Sequence, residues 1–277
     1  MSKPRMERRI SRVARVIPQG ATSQVQAKQR VIGSEGWENT SPFLFLSEDW
    51  FAAPGGFEEH PHRGMQTVTI VLDGALEHRD HTGAHGVLRA GDVQWMTAGR
   101  GVLHSEMPYG GTTAHTLQLW LNLPSRLKMI PARYRDQRLA DVPVRRVEGG
   151  EVLVYAGRSD GVTHPHGSDW PMSLLDIRLK KRASLAQEID LKDRGFLYVL
   201  HGMAEVGGTE LKTGEVGWFE PGEGKALSLA AAADFRALVF AGEPIREPVV
   251  AYGPFVMSTR EEIVQAFEDY QAGKLVA

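Results

Sequence analysis

The sequence predicts an all-β protein made of two tandem β-barrels with a short C-terminal α-helix, and three observations carry that expectation. Glycine and proline, 30 and 15 of 277 residues, make up about 16% of the chain against roughly 12% in average usage, and they punctuate it at the short intervals that many short strands need. Several segments alternate apolar and polar residues with the period of two that gives a strand one buried face. A strand-turn-strand unit also recurs. Ile70-Val71-Leu72-Asp73-Gly74-Ala75-Leu76-Glu77 is echoed by Tyr198-Val199-Leu200-His201-Gly202-Met203-Ala204-Glu205, and Ala90-Gly91-Asp92-Val93-Gln94-Trp95 by Thr213-Gly214-Glu215-Val216-Gly217-Trp218. A repeat of roughly 125 residues fits two small barrels joined near Gln137 to Val144, dividing the chain into residues 1–138 and 139–277.

Taken in order, the elements start with a basic segment: Lys3, Arg5, Arg8, Arg9, Arg12 and Arg15 stand against Glu7. The arginines running through Arg12-Val13-Ala14-Arg15-Val16-Ile17 interrupt the apolar stretch that a secretory signal requires. The segment therefore reads as a solvated first strand alternating Arg and Val. Thr67-Val68-Thr69-Ile70-Val71-Leu72 is β-branched or apolar, and Asp73-Gly74 supplies a hairpin turn signal. Gly91-Asp92 opens a strand through Trp95 to Met96, and from His115 to Asn122 the residues Leu117, Leu119 and Leu121 share one face. The helix is expected at about 259–272: Thr259 with Glu262 forms a capping box, Ile263, Ala266, Phe267 and Tyr270 follow at helical spacing, and Gly273 stops it.

Composition narrows the chemistry. Lys plus Arg (32) nearly balance Asp plus Glu (34), so the net charge of −2 gives no electrostatic footprint for nucleic acid. No apolar run approaches the roughly 18 residues of a membrane span, and a soluble, unprocessed, cytoplasmic protein is expected. Cysteine is absent, which excludes disulfides, thiolate metal sites and cysteine nucleophiles. Any metal must sit on nitrogen and oxygen.

Two of the clusters formed by the ten histidines are informative. In His60-Pro61-His62 and His104-Ser105-Glu106 the chemistry-bearing residues are at i and i+2, so on a strand each pair projects to one face. Imidazoles with one carboxylate suit iron, nickel, copper, manganese or zinc, with positions left open for water or substrate. The repeat supports this from a different side. His60 and His62 map to Glu188 and Asp190 in the second copy, and His104 and Glu106 map to Leu227 and Leu229. A frame that closes with leucines does not need these polar groups for folding, and burying them is costly unless something satisfies them.

Phe57-Glu58-Glu59-His60-Pro61-His62-Arg63-Gly64, the run from Gly91 through Gly99-Arg100-Gly101-Val102-Leu103-His104-Ser105-Glu106-Met107-Pro108, and Glu247-Pro248-Val249-Val250-Ala251-Tyr252-Gly253-Pro254-Phe255-Val256-Met257 resemble the signatures of the pirin family. The resemblance extends over nearly the whole chain. It implies two cupin, jelly-roll-like barrels, the N-terminal one holding a single divalent metal, usually Fe(II), with Mn, Ni, Co, Cu or Zn as alternatives. It makes His60, His62, His104 and Glu106 the ligands. The chain departs from the family at Gln66, where a glutamate is common, so the resemblance does not carry over a second carboxylate beside the metal.

The resemblance implies oxygen-dependent cleavage of a flavonol such as quercetin, with Glu106 as the one catalytic carboxylate. Its competitor is an iron-binding regulator whose redox state alters affinity for a protein partner through a charged patch of Glu58, Glu59, Arg63 and Arg100. Neither reading needs nucleic acid or membrane, and a monomer is expected. The remaining histidines are expected elsewhere: His78, His81 and His85 in a polar hairpin loop over Glu77 to Gly86, His115 as a hydrogen-bonded barrel residue, and His164-Pro165-His166 in a loop. Trp95 and Met107 are expected to pack in the core.

Overall fold

A computed structural model describes residues 7–33, 36–164, 167–222 and 224–277. Strands dominate them, and the chain divides into two compact units. One joins Ile17–Asp141 to Ile245–Ala277, and the other joins the N-terminal segment up to Val16 to Val142–Pro244. The internal break lies close to the linker expected near Gln137 to Val144, but both chain ends are exchanged relative to a division into 1–138 and 139–277. Local pattern predicts that a segment is a strand or a helix; it does not say which sheet edge the strand will complete.

In the first barrel, a four-stranded sheet runs in the order Phe57–His62, Val102–Pro108, Ala75–Asp80, His85–Arg89. A seven-stranded sheet runs Arg133–Gln137, Val93–Thr97, Met65–Asp73, Ala114–Asn122, Phe43–Phe51, Ala27–Ile32, Ile17–Pro18. Asp73-Gly74 is a corner between these sheets and not a hairpin turn, because the strands it joins, Met65–Asp73 and Ala75–Asp80, lie in different sheets. Gly74 takes φ +72°, and a Cβ there would collide with the Thr113 carbonyl. Its counterpart Gly202 takes φ +83° at the matching corner, against the Asp234 carbonyl. The repeated glycine thus marks where the chain changes sheet.

The second barrel repeats the plan. Ser184–Glu188, Ala226–Ala231, Met203–Val206 and Thr209–Lys212 form its small sheet. Leu227 and Leu229 are buried in one apolar core with Leu197, Phe219 and Val239. Strand register pairs Leu227 with Gln187 just as it pairs His104 with His60, so the counterpart of His60 is Gln187 and not Glu188.

The N-terminal strand Arg12–Arg15 completes this unit's large sheet against Glu215–Phe219, and the Arg12 guanidinium lies 5.0 Å from the centroid of the Trp218 ring. Arg8, expected in solvent, is buried. Its guanidinium donates to the carbonyls of Gly224, Asp193, Glu220 and Asp190. Arg8→Ala strips four carbonyls of a donor, so a loss of about 3 kcal/mol or more is expected. Urea unfolding measures it, and an unchanged midpoint would show that this segment does not staple the barrel.

The C-terminal helix spans Arg260–Gln271 with the capping box in place: Thr259 Oγ1 accepts from the Glu262 backbone N–H at 3.2 Å, and Glu262 Oε2 accepts from the Thr259 N–H at 3.1 Å. It docks on the first barrel through Ile263 and Ala266, which cluster with Phe255, Met257 and Leu275 and with the half-buried Leu103 and Phe267. Tyr270 is 41% exposed and lies at the margin of that face. No described helix is long and apolar enough to cross a membrane.

Candidate metal centre

The small sheet of the first barrel builds the site. His60 and His62 sit on Phe57–His62, His104 and Glu106 on its neighbour Val102–Pro108, and His104 faces His60 directly across the ladder. A register shift between His104 and Glu106 interrupts that pairing. His60, His62 and His104 converge: one ligand atom from each lies within 4.8 Å of the others, with ring centroids 4.3 to 5.1 Å apart. His62 and His104 are buried and His60 is half-buried.

The hydrogen bonds fix which nitrogen each ring presents. His60 Nδ1 lies 2.7 Å from the Glu58 carbonyl and His62 Nδ1 lies 3.3 Å from the Pro254 carbonyl. A carbonyl only accepts, so each Nδ1 carries the proton and each Nε2 keeps its lone pair. This is the arrangement that orients ligating histidines in metal proteins. Both ring nitrogens of His104 are buried without a hydrogen-bond partner. Burial lowers the affinity of all three rings for protons, to about 3 in His62, with repulsion from His60 adding to it. Neutral imidazoles of this kind are competent donors to a metal.

Glu106 is buried and pushed up to about 7 by desolvation, with Asp49 adding to the rise and the Thr69 and Gln118 hydrogen bonds opposing it. The Gln118 amide donates to Oε2 at 2.7 Å. The Thr69 hydroxyl lies 3.0 Å from Oε1 and 2.7 Å from Gln118 Oε1, and its single proton serves one of them at a time. A cation beside this carboxylate would reverse the cost of its charge. Three oriented or unpartnered imidazoles and a buried carboxylate fit a divalent metal on nitrogen and oxygen ligands.

Sequence reasoning missed several residues here. His78 is not in a solvated loop: it lies fully buried on the strand Ala75–Asp80, cross-strand from Glu106. His78, His104 and Glu106 also place one ligand atom each within 4.8 Å of one another. The signal was available, since Leu76 and His78 alternate with Glu77 and Arg79 and so share the inward face. Trp120 stands edge-on to His62 at 5.4 Å between ring centroids, and Phe45 packs against Trp120.

The other sequence candidates fall outside the cluster. Gln66 donates to Thr97 Oγ1 at 3.1 Å from the face of its strand opposite Thr69, and so away from Glu106. Arg63 is 4% exposed, bound to Asp269 and to the carbonyls of Arg100 and Leu275, and therefore cannot contribute to an exposed patch with Glu58, Glu59 and Arg100. His115 pairs with Glu48 at 2.8 Å, and Trp95 is buried with its N–H on Gln137. His85, expected in a loop, lies on the strand His85–Arg89 and pairs with Glu77, while His81 accepts from the Leu103 N–H of the neighbouring strand. His164 lies on a strand of the second barrel, while Pro165 and His166 fall outside the described residues. Among the described residues, both groups of converging metal-ligand side chains lie in the first barrel.

Comparison with known proteins gives these residues a context. The family model described as Pirin matches residues 24–121, and that described as Pirin C-terminal cupin domain matches residues 174–276. A Pseudomonas aeruginosa protein named as a candidate quercetin 2,3-dioxygenase is 43% identical over 261 residues, covering 89% of this chain and 90% of its own. The crystal structure of quercetin 2,3-dioxygenase from Acinetobacter baumannii superposes with a TM-score of 0.90 at 31% identity, covering 98% of this chain and 100% of that one. The bacterial pirin YhhW from Escherichia coli, solved in complex with nickel(II), shares the fold at 24% identity with a TM-score of 0.66, over 86% of this chain and 98% of that one.

Proposed function

The chain belongs to the pirin family of bicupin proteins, and on that premise we propose that it is a metal-dependent dioxygenase cleaving a flavonol such as quercetin with dioxygen. The observation that carries the proposal is the inequality of the two barrels. Where the second packs Leu227 and Leu229 into an apolar core, the first has at the same strand positions His104, which converges with His60 and His62, and Glu106, which converges with His104 and His78. Such a polar investment in a barrel interior is costly unless a ligand satisfies it.

His60, His62, His104 and Glu106 would hold one ion per chain, with Fe(II) the first choice and Mn, Ni, Co, Cu or Zn compatible with the same donors. A bound divalent metal supplies Lewis acidity towards a coordinated hydroxyl. The chain's own residues do the rest. Thr69 and Gln118 hold the Glu106 carboxylate in place, so a proton gained or lost at Glu106 moves at an oxygen whose direction is already set. Trp120, half-buried beside His62 with Phe45 packed against it, offers an aromatic surface to a flat ring system. The proposed setting is the cytoplasm, as a monomer.

The test is oxygen uptake and carbon monoxide release by metal-reconstituted protein across a flavonol panel. Glu106→Gln is expected to lower turnover by about 100-fold or more, as loss of a charge-stabilising group does, while the melting temperature stays close to wild type. Fully metal-loaded wild type that consumes no oxygen with any flavonol would refute the proposal.

A further inference from the structure

His78 is the buried group that the proposed four-ligand centre does not use. It lies fully buried on Ala75–Asp80, directly across the ladder from Glu106, while its neighbour Asp80 faces His104. The Tyr134 ring packs against it at a tilt, with centroids 5.1 Å apart, but ring packing does nothing for the two nitrogens. Neither Nδ1 nor Nε2 of His78 has a hydrogen-bond partner among the described residues, and the same holds for His104. A buried imidazole with both nitrogens unsatisfied is costly to keep. An apolar side chain would fill the space without that cost, as Val206 does at the equivalent position of the second barrel, across the ladder from Leu229.

The chemistry of the surroundings says what would satisfy it. One ligand atom each from His78, His104 and Glu106 lies within 4.8 Å of the others, and all three residues are buried. Two imidazoles and one carboxylate are the donor set of the facial triad that binds ferrous iron and leaves positions open. His60, His62 and His104 make a separate group by the same criterion. His104 is common to both.

We propose that His78, His104 and Glu106 form a second metal position that overlaps the three-histidine position at His104, so that the centre holds a divalent transition metal on either of two ligand sets. The proposal rests on the metal-centre reading above. It extends that reading by giving His78 a ligating role and by placing Glu106, one of the four ligands proposed above, in the second set as well. Thr69 and Gln118, which already anchor the Glu106 carboxylate, then serve the second position.

Cobalt(II) titration of the full-length apo protein, followed by visible absorption, tests it. The His60→Ala/His62→Ala double variant removes two ligands of the first set only, and it is expected to retain a cobalt ion at reduced affinity with a changed spectrum. Adding His78→Leu to that variant is expected to weaken cobalt binding by a further factor of about 10 to 100 or more, the range that even an outer partner of a metal site commands. A folded double variant that binds no cobalt, or a triple variant that binds it as tightly as the double, overturns the proposal. A second measurement avoids the double variant. Pulsed EPR of copper(II)-loaded wild type and His78→Gln counts coordinated imidazoles: a population lost in His78→Gln supports the second position, and identical spectra refute it. Both readouts are independent of turnover, so wild type that binds cobalt as expected here but, fully loaded with iron, consumes no oxygen with any flavonol sinks the dioxygenase reading and leaves this one standing.

Discussion

His104→Ala is expected to abolish high-affinity metal binding, leaving less than a stoichiometric ion after reconstitution and desalting, whereas wild type retains one per chain. His104 belongs to both groups of converging ligand atoms, is 1% exposed, and stands across the ladder from His60 on one side and Asp80 on the other. Among the described residues no other side chain belongs to both of these groups. Its loss should therefore exceed the about 10- to 100-fold weakening produced by removing an outer-shell partner. His164→Ala is the control: His164 lies on Val162–His164 of the second barrel, paired with Gly157, and its removal should leave metal content unchanged. Elemental analysis of both variants checks this. Two tightly held ions in wild type, or equal behaviour of the two variants, would show that the wrong cluster has been chosen.

The contrast between His104 and His78 shows what a sequence displays and what it hides. The His-X-His and His-X-Glu spacings announce a shared strand face directly, because the period of a strand is two. His78 follows the same rule relative to Leu76, yet the polar residues around it, from Asp80 to Gly86, give the appearance of a loop, and the strand extends further into that region than they suggest. Asp73-Gly74 hides something different. A positive-φ glycine after a strand fits a hairpin or a sheet-to-sheet corner equally well, and only the pairing partners decide between them. Arg63 and Arg8 are hidden by their charge. Each reads as solvent-facing, and each is buried because backbone carbonyls, with a carboxylate in the case of Arg63, saturate the guanidinium. In every case the missing information is long-range: which distant strand, carbonyl or carboxylate meets the residue.

Deleting residues 258–277 is expected to lower the melting temperature by roughly 10 °C or more, at about 2–4 °C per kcal/mol for a chain approaching this size, and to weaken metal binding as well. Ile263 and Leu275 are 6% and 3% exposed, and full burial of such side chains contributes about 1.5–3 kcal/mol each before ordering entropy is subtracted. The deletion also strips Arg63 of its 2.7 Å ion pair with Asp269 and of the Leu275 carbonyl. Removing one partner of a fully buried pair costs about 3–5 kcal/mol; the cost here is smaller, because a quarter of the Asp269 side chain is exposed. The second consequence follows from position. Arg63 adjoins His62, and Leu103, which adjoins His104, packs against the cluster that the helix completes. Loss of the helix therefore loosens the backbone beside two histidines whose directions the metal requires. Asp269→Ala separates the effects by breaking the ion pair while leaving Ile263 and Leu275 in place, so it should weaken metal affinity with only a small fall in melting temperature. A truncated protein that melts and binds metal like the full chain would show that the helix plays no part in holding the centre.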